Sequence, residues 1–167
     1  MKIILLGHRK RQGKDTFATM LADKLPNSVI TSFARPMKNI AYGAVGLTFE
    51  EGEEKKNIDQ EFRKYLQNIG SGAIKDYFGK SVWRDVLLDN LPECDYLIVV
   101  DFRFPEEYIE GAITIKIHRD DDYEDTHISE TALKDFVFDF TVMNKKELND
   151  LDKKANVMAT LLKQGLK

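Results

Sequence analysis

The stretch Gly7-His8-Arg9-Lys10-Arg11-Gln12-Gly13-Lys14-Asp15-Thr16 decides how this chain is read. An apolar run, Ile3 to Leu6, leads into it, and a segment with Phe17, Met20, Leu21 and Leu25 on one helical face follows. A glycine-bearing loop between a buried strand and a helix is the context in which such a loop binds an anion. Gly13 lets the backbone turn closely around the ligand. The amides of Gly13 to Thr16 fall at a helix N-terminus, where unpaired N–H groups and the helix dipole favour negative charge. Lys14 is then placed to reach nucleotide phosphates, and Thr16 to orient Mg²⁺ directly or through water. The spacing departs from the strict phosphate-loop pattern. His8 stands where the first glycine belongs, Gly7 is one position early, and Asp15 replaces the usual Ser or Thr after the lysine.

Outward from the loop, residues 2–6, 96–100 and 112–117 read as buried strands, short and rich in Ile, Leu and Val. Residues 28–33 and 138–143 are weaker strand candidates. Helical periodicity predicts helices over 15–25, from Pro36 to about Ala44, through Phe62, Leu66 and Ile69 to Gly70, and from Val82 to Leu91. A last helix carries Leu148, Leu151, Ala155, Met158 and Leu162, with Asn144 and Glu147 as its expected capping box. Strands alternating with helices predict an α/β fold with a mostly parallel five-stranded sheet. Three helices are expected between the second and third strands, as a helical insertion over about 34–92. Two charged runs, 50–56 and 120–125, read as solvated loops.

Composition narrows the class. The chain has 167 residues, a formal net charge of -3 and 43% hydrophobic residues, which fits one domain with a real core. Ten Phe, six Tyr and one Trp argue against disorder. No apolar run approaches the roughly 20 residues of a membrane span, and Ile3 to Leu6 is too short for a signal peptide. The lone Cys94 excludes an internal disulfide and a cysteine-based zinc site. With only His8, His118 and His127, a histidine-based metal site is not expected either. A soluble, cytoplasmic protein is the expectation. The acidic balance sets Arg9, Lys10 and Arg11 to neutralising a nucleotide tail, and no stable nucleic-acid binding is expected.

Five segments in order resemble the bacteriophage deoxynucleoside monophosphate kinases, a branch of the P-loop NMP kinase superfamily. They are Gly13-Lys14-Asp15-Thr16 after Lys10-Arg11; Phe33-Ala34-Arg35-Pro36-Met37-Lys38; Arg63-Lys64-Tyr65-Leu66-Gln67-Asn68-Ile69-Gly70-Ser71 with Trp83 downstream; Asp101-Phe102-Arg103-Phe104-Pro105-Glu106-Glu107; and Asp125-Thr126-His127-Ile128-Ser129-Glu130. Together they cover residues 1 to about 133. The resemblance implies a three-layer α/β/α P-loop domain, with the insertion binding the acceptor and a short lid over about 119–130. It implies transfer of phosphate from ATP, with Mg²⁺, to a deoxynucleoside monophosphate. A homodimer is an allowed state, and the host cytoplasm the compartment if the chain is phage-encoded.

By that pattern Lys10, Arg11, Gly13, Lys14, Asp15 and Thr16 hold the donor phosphates. Lys38, Arg63, Gln67, Gly70, Ser71, Trp83, Asp101, Arg103, Glu107 and Glu130 line the acceptor site. Lys14, Asp101, Arg103 and Arg119 form the catalytic set, Arg119 as a finger from the lid. Ser71 stands for the family's usual Thr, and Lys75 for a frequent Arg. Residue chemistry leaves alternatives beside these roles. Arg103 could form a surface ion pair with Glu106 or Glu107, and Glu107 could face solvent. Trp83 could be core, and Ser129 and Glu130 could cap a short helix and pin the lid. Two other functions stay open: a P-loop kinase for another small acceptor, such as dephospho-coenzyme A, and a nucleotide-dependent binding module without kinase activity.

Overall fold

The computed structural model describes residues 1–71, 73–120 and 128–165. The chain divides into two compact units, one of Met1–Ser32 with Pro92–Lys167, the other of Phe33–Leu91.

The first unit is an α/β sheet structure. Its strands are β1 (Lys2–Gly7), β2 (Ser28–Thr31), β3 (Tyr96–Phe102), β4 (Ile113–His118) and β5 (Phe140–Met143). All pair in parallel, in the order β2-β3-β1-β4-β5. This arrangement is compatible with a three-layer α/β/α fold. β1 lies at the centre, with Ile4, Leu5 and Leu6 wholly buried, as the near-continuous apolar run requires of a strand covered on both faces. Helices α1 (Lys14–Ala22) and α8 (Leu148–Gln164) pack together on the sheet. Phe17, Ala18 and Leu21 of α1 and Leu151, Ala155, Met158, Ala159 and Leu162 of α8 join Ile4, Leu6, Ile98, Ile115 and Ile117 in one core. At i, i+3, i+4 and i+7 spacing, those α8 residues form a single buried stripe.

The capping box expected at Asn144 and Glu147 does not form. Glu147 is the N-cap residue of α8 and makes no side-chain cap bond, while the Asn144 carboxamide is committed elsewhere, as described below. The last strand begins at Phe140 rather than at residue 138, because Phe138 turns into an aromatic cluster. Its ring meets Phe136 at 4.9 Å and Phe102 at 6.1 Å between centroids. A Cβ at Gly7 would lie 2.5 Å from Phe138 Cε1, so the end of β1 must be glycine.

The second unit is helical: α2 (Ala34–Gly43), α3 (Phe49–Ile58), α4 (Gln60–Ser71), α5 (Ala73–Phe78) and α6 (Val82–Asp89). Among the described residues five helices thus replace the expected three, and the run 50–56 is helix rather than loop. The Thr48 hydroxyl accepts from the Glu51 N–H at 3.2 Å, and Glu51 Oε2 accepts from the Thr48 N–H at 2.8 Å. Glu50 and Glu51 occupy the first turn and Lys55 and Lys56 the last, the order that complements the helix dipole. Tyr42 stacks on Phe62 at 5.9 Å and Phe62 on Tyr65 at 5.5 Å, with Met37, Ala41, Leu66, Trp83 and Leu87 buried in the same unit. Of the run 120–125 only Asp120 is described; the rest of it and the middle of the expected lid, residues 121–127 with His127, lie outside the described residues. None of the described helices is long and apolar enough to cross a membrane.

Candidate active site

The loop leaving central β1 ends on Gly13, whose φ of 93° is left-handed, and α1 starts at Lys14. Two loop residues that are not glycine, His8 (φ 88°) and Arg11 (φ 61°), also take positive φ, a conformation costly to side-chain-bearing residues. Lys14 is 6% exposed. Its ammonium donates to the carbonyls of His8 at 3.1 Å and Arg9 at 2.5 Å, so the lysine threads back under its own loop. Burial, with the Arg103 guanidinium nearby, lowers its pKa to about 8; Glu130, Asp15 and Asp101 oppose that shift. Asp15 and Thr16 are exposed on the first turn of α1.

The loop's shape is held from the far end of the sheet. Gln12 is 1% exposed. Its carbonyl accepts from Asn144 Nδ2 at 2.9 Å, and its side-chain oxygen accepts from the Arg119 N–H at 2.5 Å. The Asn144 N–H donates to the His118 carbonyl at 2.7 Å, and its Oδ1 accepts from the Lys146 N–H at 3.0 Å. The polar ends of β4 and β5 therefore clamp the loop. A Cβ on Gly13 would overlap Asn144 Nδ2, so glycine is required there by contact as well as by φ. Residue patterning assigns Gln12 no role of its own and reads Asn144 as a helix cap. A short amide just past a strand reads equally well as a helix cap.

At the end of β3, Arg103 pairs with Glu130 of α7 (Ile128–Thr131), not with Glu106 or Glu107. The second Glu130 oxygen accepts from the Lys10 N–H at 2.6 Å. Glu130 thus ties Arg103 to the loop. Glu107 is buried, not solvent-facing. Its Oε2 accepts from the N–H groups of Arg103 and Phe104 at 2.9 and 3.1 Å, so it shapes the turn that presents Arg103. Asp101, half-buried near the end of β3, acts electrostatically on Lys14.

No known protein family and no curated protein matches this chain.

Four buried side-chain nitrogens have no hydrogen-bond partner among the described residues: His8 Nδ1, Arg9 Nε, His118 Nδ1 and Arg119 Nε. The His8 and His118 rings meet edge-on at 5.6 Å. Burial first, then Lys116, Arg9, His118 and Lys14, lowers the His8 pKa to about 4, so His8 is neutral at pH 7. Loop and strand ends together bring Lys10, Gln12, Gly13, Lys14, Arg103, Arg119 and Glu130 into one cationic cluster around a helix N-terminus. Cationic side chains at a helix N-terminus give the cluster a potential that favours negative charge.

In the helical unit, Trp83 is 5% exposed and its indole N–H donates to the Gly70 carbonyl at 3.0 Å. Trp83 is therefore a core residue and offers no open face for stacking a base. Lys38 pairs with Glu53 at 2.8 Å. Arg63 is exposed and its Nε–H donates to the Lys56 carbonyl at 2.7 Å; Gln67 is exposed as well. Ser71 closes α4, and Lys75 lies on α5. Glu53, which sequence reading leaves in a solvated loop, accepts from Tyr42 at 2.6 Å and Lys56 at 2.5 Å besides Lys38. These three donors hold its pKa at about 2 against the opposing effect of burial.

Proposed function

We propose that the chain is a P-loop phosphotransferase that moves the γ-phosphoryl group of ATP to a deoxynucleoside monophosphate. The observation that carries this reading is Lys14. It is a buried ammonium folded under a loop that leaves the central strand and turns through left-handed Gly13 into a helix N-terminus. A lysine so placed has no packing purpose that a methionine would not serve better, since burying an ammonium carries a large desolvation cost. The motif resemblance supports the nucleotide acceptor.

The residues fit a Mg²⁺ that arrives with the nucleotide. The described residues contain no group of three His, Cys, Asp or Glu side chains able to hold a metal, whereas Thr16 is exposed on the first turn of α1. Bound there with ATP, the ion would neutralise charge on the β- and γ-phosphates. The amides of Gly13 to Thr16 and the Lys14 ammonium would cradle the same phosphates. Arg103 and Arg119, from the ends of β3 and β4, would stabilise charge on the transferring group.

An acceptor phosphate oxygen attacks the γ-phosphorus in line. As the new P–O bond forms, the bond to the β–γ bridging oxygen breaks and its electron pair leaves with ADP. A phosphate monoester with its second pKa near ~6 is largely dianionic at neutral pH. No general base is required, so the protein's contribution is alignment and electrostatics. Asp101 accordingly serves to orient cations rather than to remove a proton.

A coupled assay of ADP release tests this across a panel of deoxynucleoside monophosphates, with dephospho-coenzyme A and a no-acceptor control. Acceptor-dependent turnover with at least one monophosphate is expected. Release no greater than the no-acceptor rate for every monophosphate would end this reading, and turnover with dephospho-coenzyme A alone would reassign the acceptor.

A further inference from the structure

We propose that Glu130 is a positioning residue of the phosphate site: its buried carboxylate, bound on one oxygen by the Lys10 amide and on the other by the Arg103 guanidinium, sets the arginine and the loop in the geometry that receives the nucleotide. The inference rests on the phosphotransferase reading for its catalytic consequence, but its structural content can be tested without it.

The Glu130 side chain is 2% exposed. A carboxylate so deeply buried is tolerated only when its oxygens are satisfied and its charge is paired. Lys10 N–H at 2.6 Å and Arg103 Nη1 meet that requirement. The anchoring is built into the fold. A turn closes α7, the Ala132 N–H donating to the Ile128 carbonyl at 2.9 Å, and Leu133 is buried behind it. Phe136 and Phe138 then pack on Phe102, Phe136 at 5.1 Å between centroids, immediately before Arg103 in the chain. The segment carrying Glu130 and the strand end carrying Arg103 thus share one aromatic joint.

Charge explains what the carboxylate is for. The Arg103 guanidinium disfavours the charge on Lys14, and Glu130 favours that charge while pairing with Arg103. Without an internal anion the two cations would drive apart, and Arg103 would have several free torsions to leave by. A buried ion pair of this kind contributes orientation more than stability. Because Glu130 lies on the cations and the loop amide, direct recognition of an acceptor base is the less economical reading of the same residue.

The test pairs Glu130→Gln and Glu130→Asp with Arg103→Ala and the double variant Arg103→Ala/Glu130→Gln. Glu130→Gln is expected to lower kcat about 10- to 100-fold, the scale on which misplacing a reacting group acts, with a smaller change in KM for ATP. Glu130→Asp, which keeps the charge, should recover part of that loss. In the double variant, adding Glu130→Gln to Arg103→Ala should cost only a few-fold more, because the two residues act as one unit. An independent readout is the Arg103 Nη1–H signal in ¹⁵N NMR at low temperature, slow to exchange in the wild-type protein because Nη1 donates to Glu130, and lost in Glu130→Gln. Glu130→Asp retains a carboxylate and serves for that measurement if Glu130→Gln does not fold.

Three results would overturn the inference: full additivity in the double variant, an Arg103 signal unchanged by Glu130→Gln, or Glu130→Gln binding ATP more tightly with undiminished kcat. The last would make the carboxylate an inhibitor instead. If the wild-type protein transfers no phosphate, the function fails, and the Arg103 signal still decides the positioning role.

Discussion

The loop at the end of β1 and the helical unit of α2 to α6 answer the same physical demands in opposite ways. In the helical unit, charges are matched and aromatic rings stack. Glu53 collects three donors, Thr48 and Glu51 close a capping box, and Trp83 finds a carbonyl for its N–H. In the loop, an ammonium is buried, His8 and Arg11 take positive φ without being glycine, and four side-chain nitrogens around it have no partner among the described residues. Locally consistent sequence is what a stable fold selects, and departures from it collect where function is exerted. The contrast separates residues that hold the structure from residues held by it.

The strongest way to break that contrast is Lys14→Ala. On the loop side it should reduce transfer on the order of 10²- to 10³-fold, the loss typical of a missing electrostatic donor. Its unfolding free energy should stay within about 1 kcal/mol of wild type, because removing a buried charge offsets the lost bonds. A large fall in stability with intact turnover would make Lys14 a structural residue.

The helical unit should respond the other way to Gly52→Ala. Gly52 is buried on α3, and a Cβ there would overlap the Tyr42 ring. The ring cannot slide freely because its hydroxyl is fastened to Glu53 at 2.6 Å. Overpacking of about 1–3 kcal/mol should exceed the helix-propensity gain of about 1 kcal/mol. Urea unfolding followed by fluorescence of Trp83, the one tryptophan of the chain, measures the difference.

pH sharpens the comparison within the loop itself. The Lys14 pKa is lowered from 10.5 to about 8, so between those values the unfolded chain binds more protons than the folded one. Stability linked to Lys14 is complete above pH 10.5 and is lost as pH falls through about 8. Phosphate affinity requires the ammonium and should run oppositely, weakening as pH rises through about 8. Calorimetric binding of ADP and thermal melting across that range should therefore show opposite slopes.

The smallest effect belongs to His8→Gly, which restores glycine to a left-handed position. Stability at pH 7 should stay within about 1 kcal/mol of wild type. The His8 pKa falls from 6.5 to about 4, so its contribution is present above pH 6.5 and lost on acidification through about 4. The variant should lack that part of the acid sensitivity, measured by melting from pH 7 to pH 4.

Much of the fold was legible wherever one period dominated. β1 and β3 read as unbroken apolar runs, and α1, α4 and α8 as buried helical stripes. α3 did not, because a Thr48 cap and charges ordered along the helix dipole build it without an apolar stripe. α5 is only six residues long and leaves Tyr77 and Phe78 exposed, so burial never marked it. The site was legible in part for a similar reason. Gly13 and Lys14 announce themselves locally, but the clamp on Gln12 comes from 132 residues away. The partner of Arg103 lies 27 residues on, while two nearer carboxylates look equally suitable. Long-range pairing of polar groups leaves no periodic trace.

Gly7 carries a consequence that reaches past this one sequence. Its missing side chain is the space that the Phe138 ring fills, so residues 7 and 138 share a single volume. Relatives of this chain should then exchange bulk between the two sites. Alanine at 7 would be admissible only where the aromatic at 138 has given way to something smaller, and the pair would drift together or remain fixed.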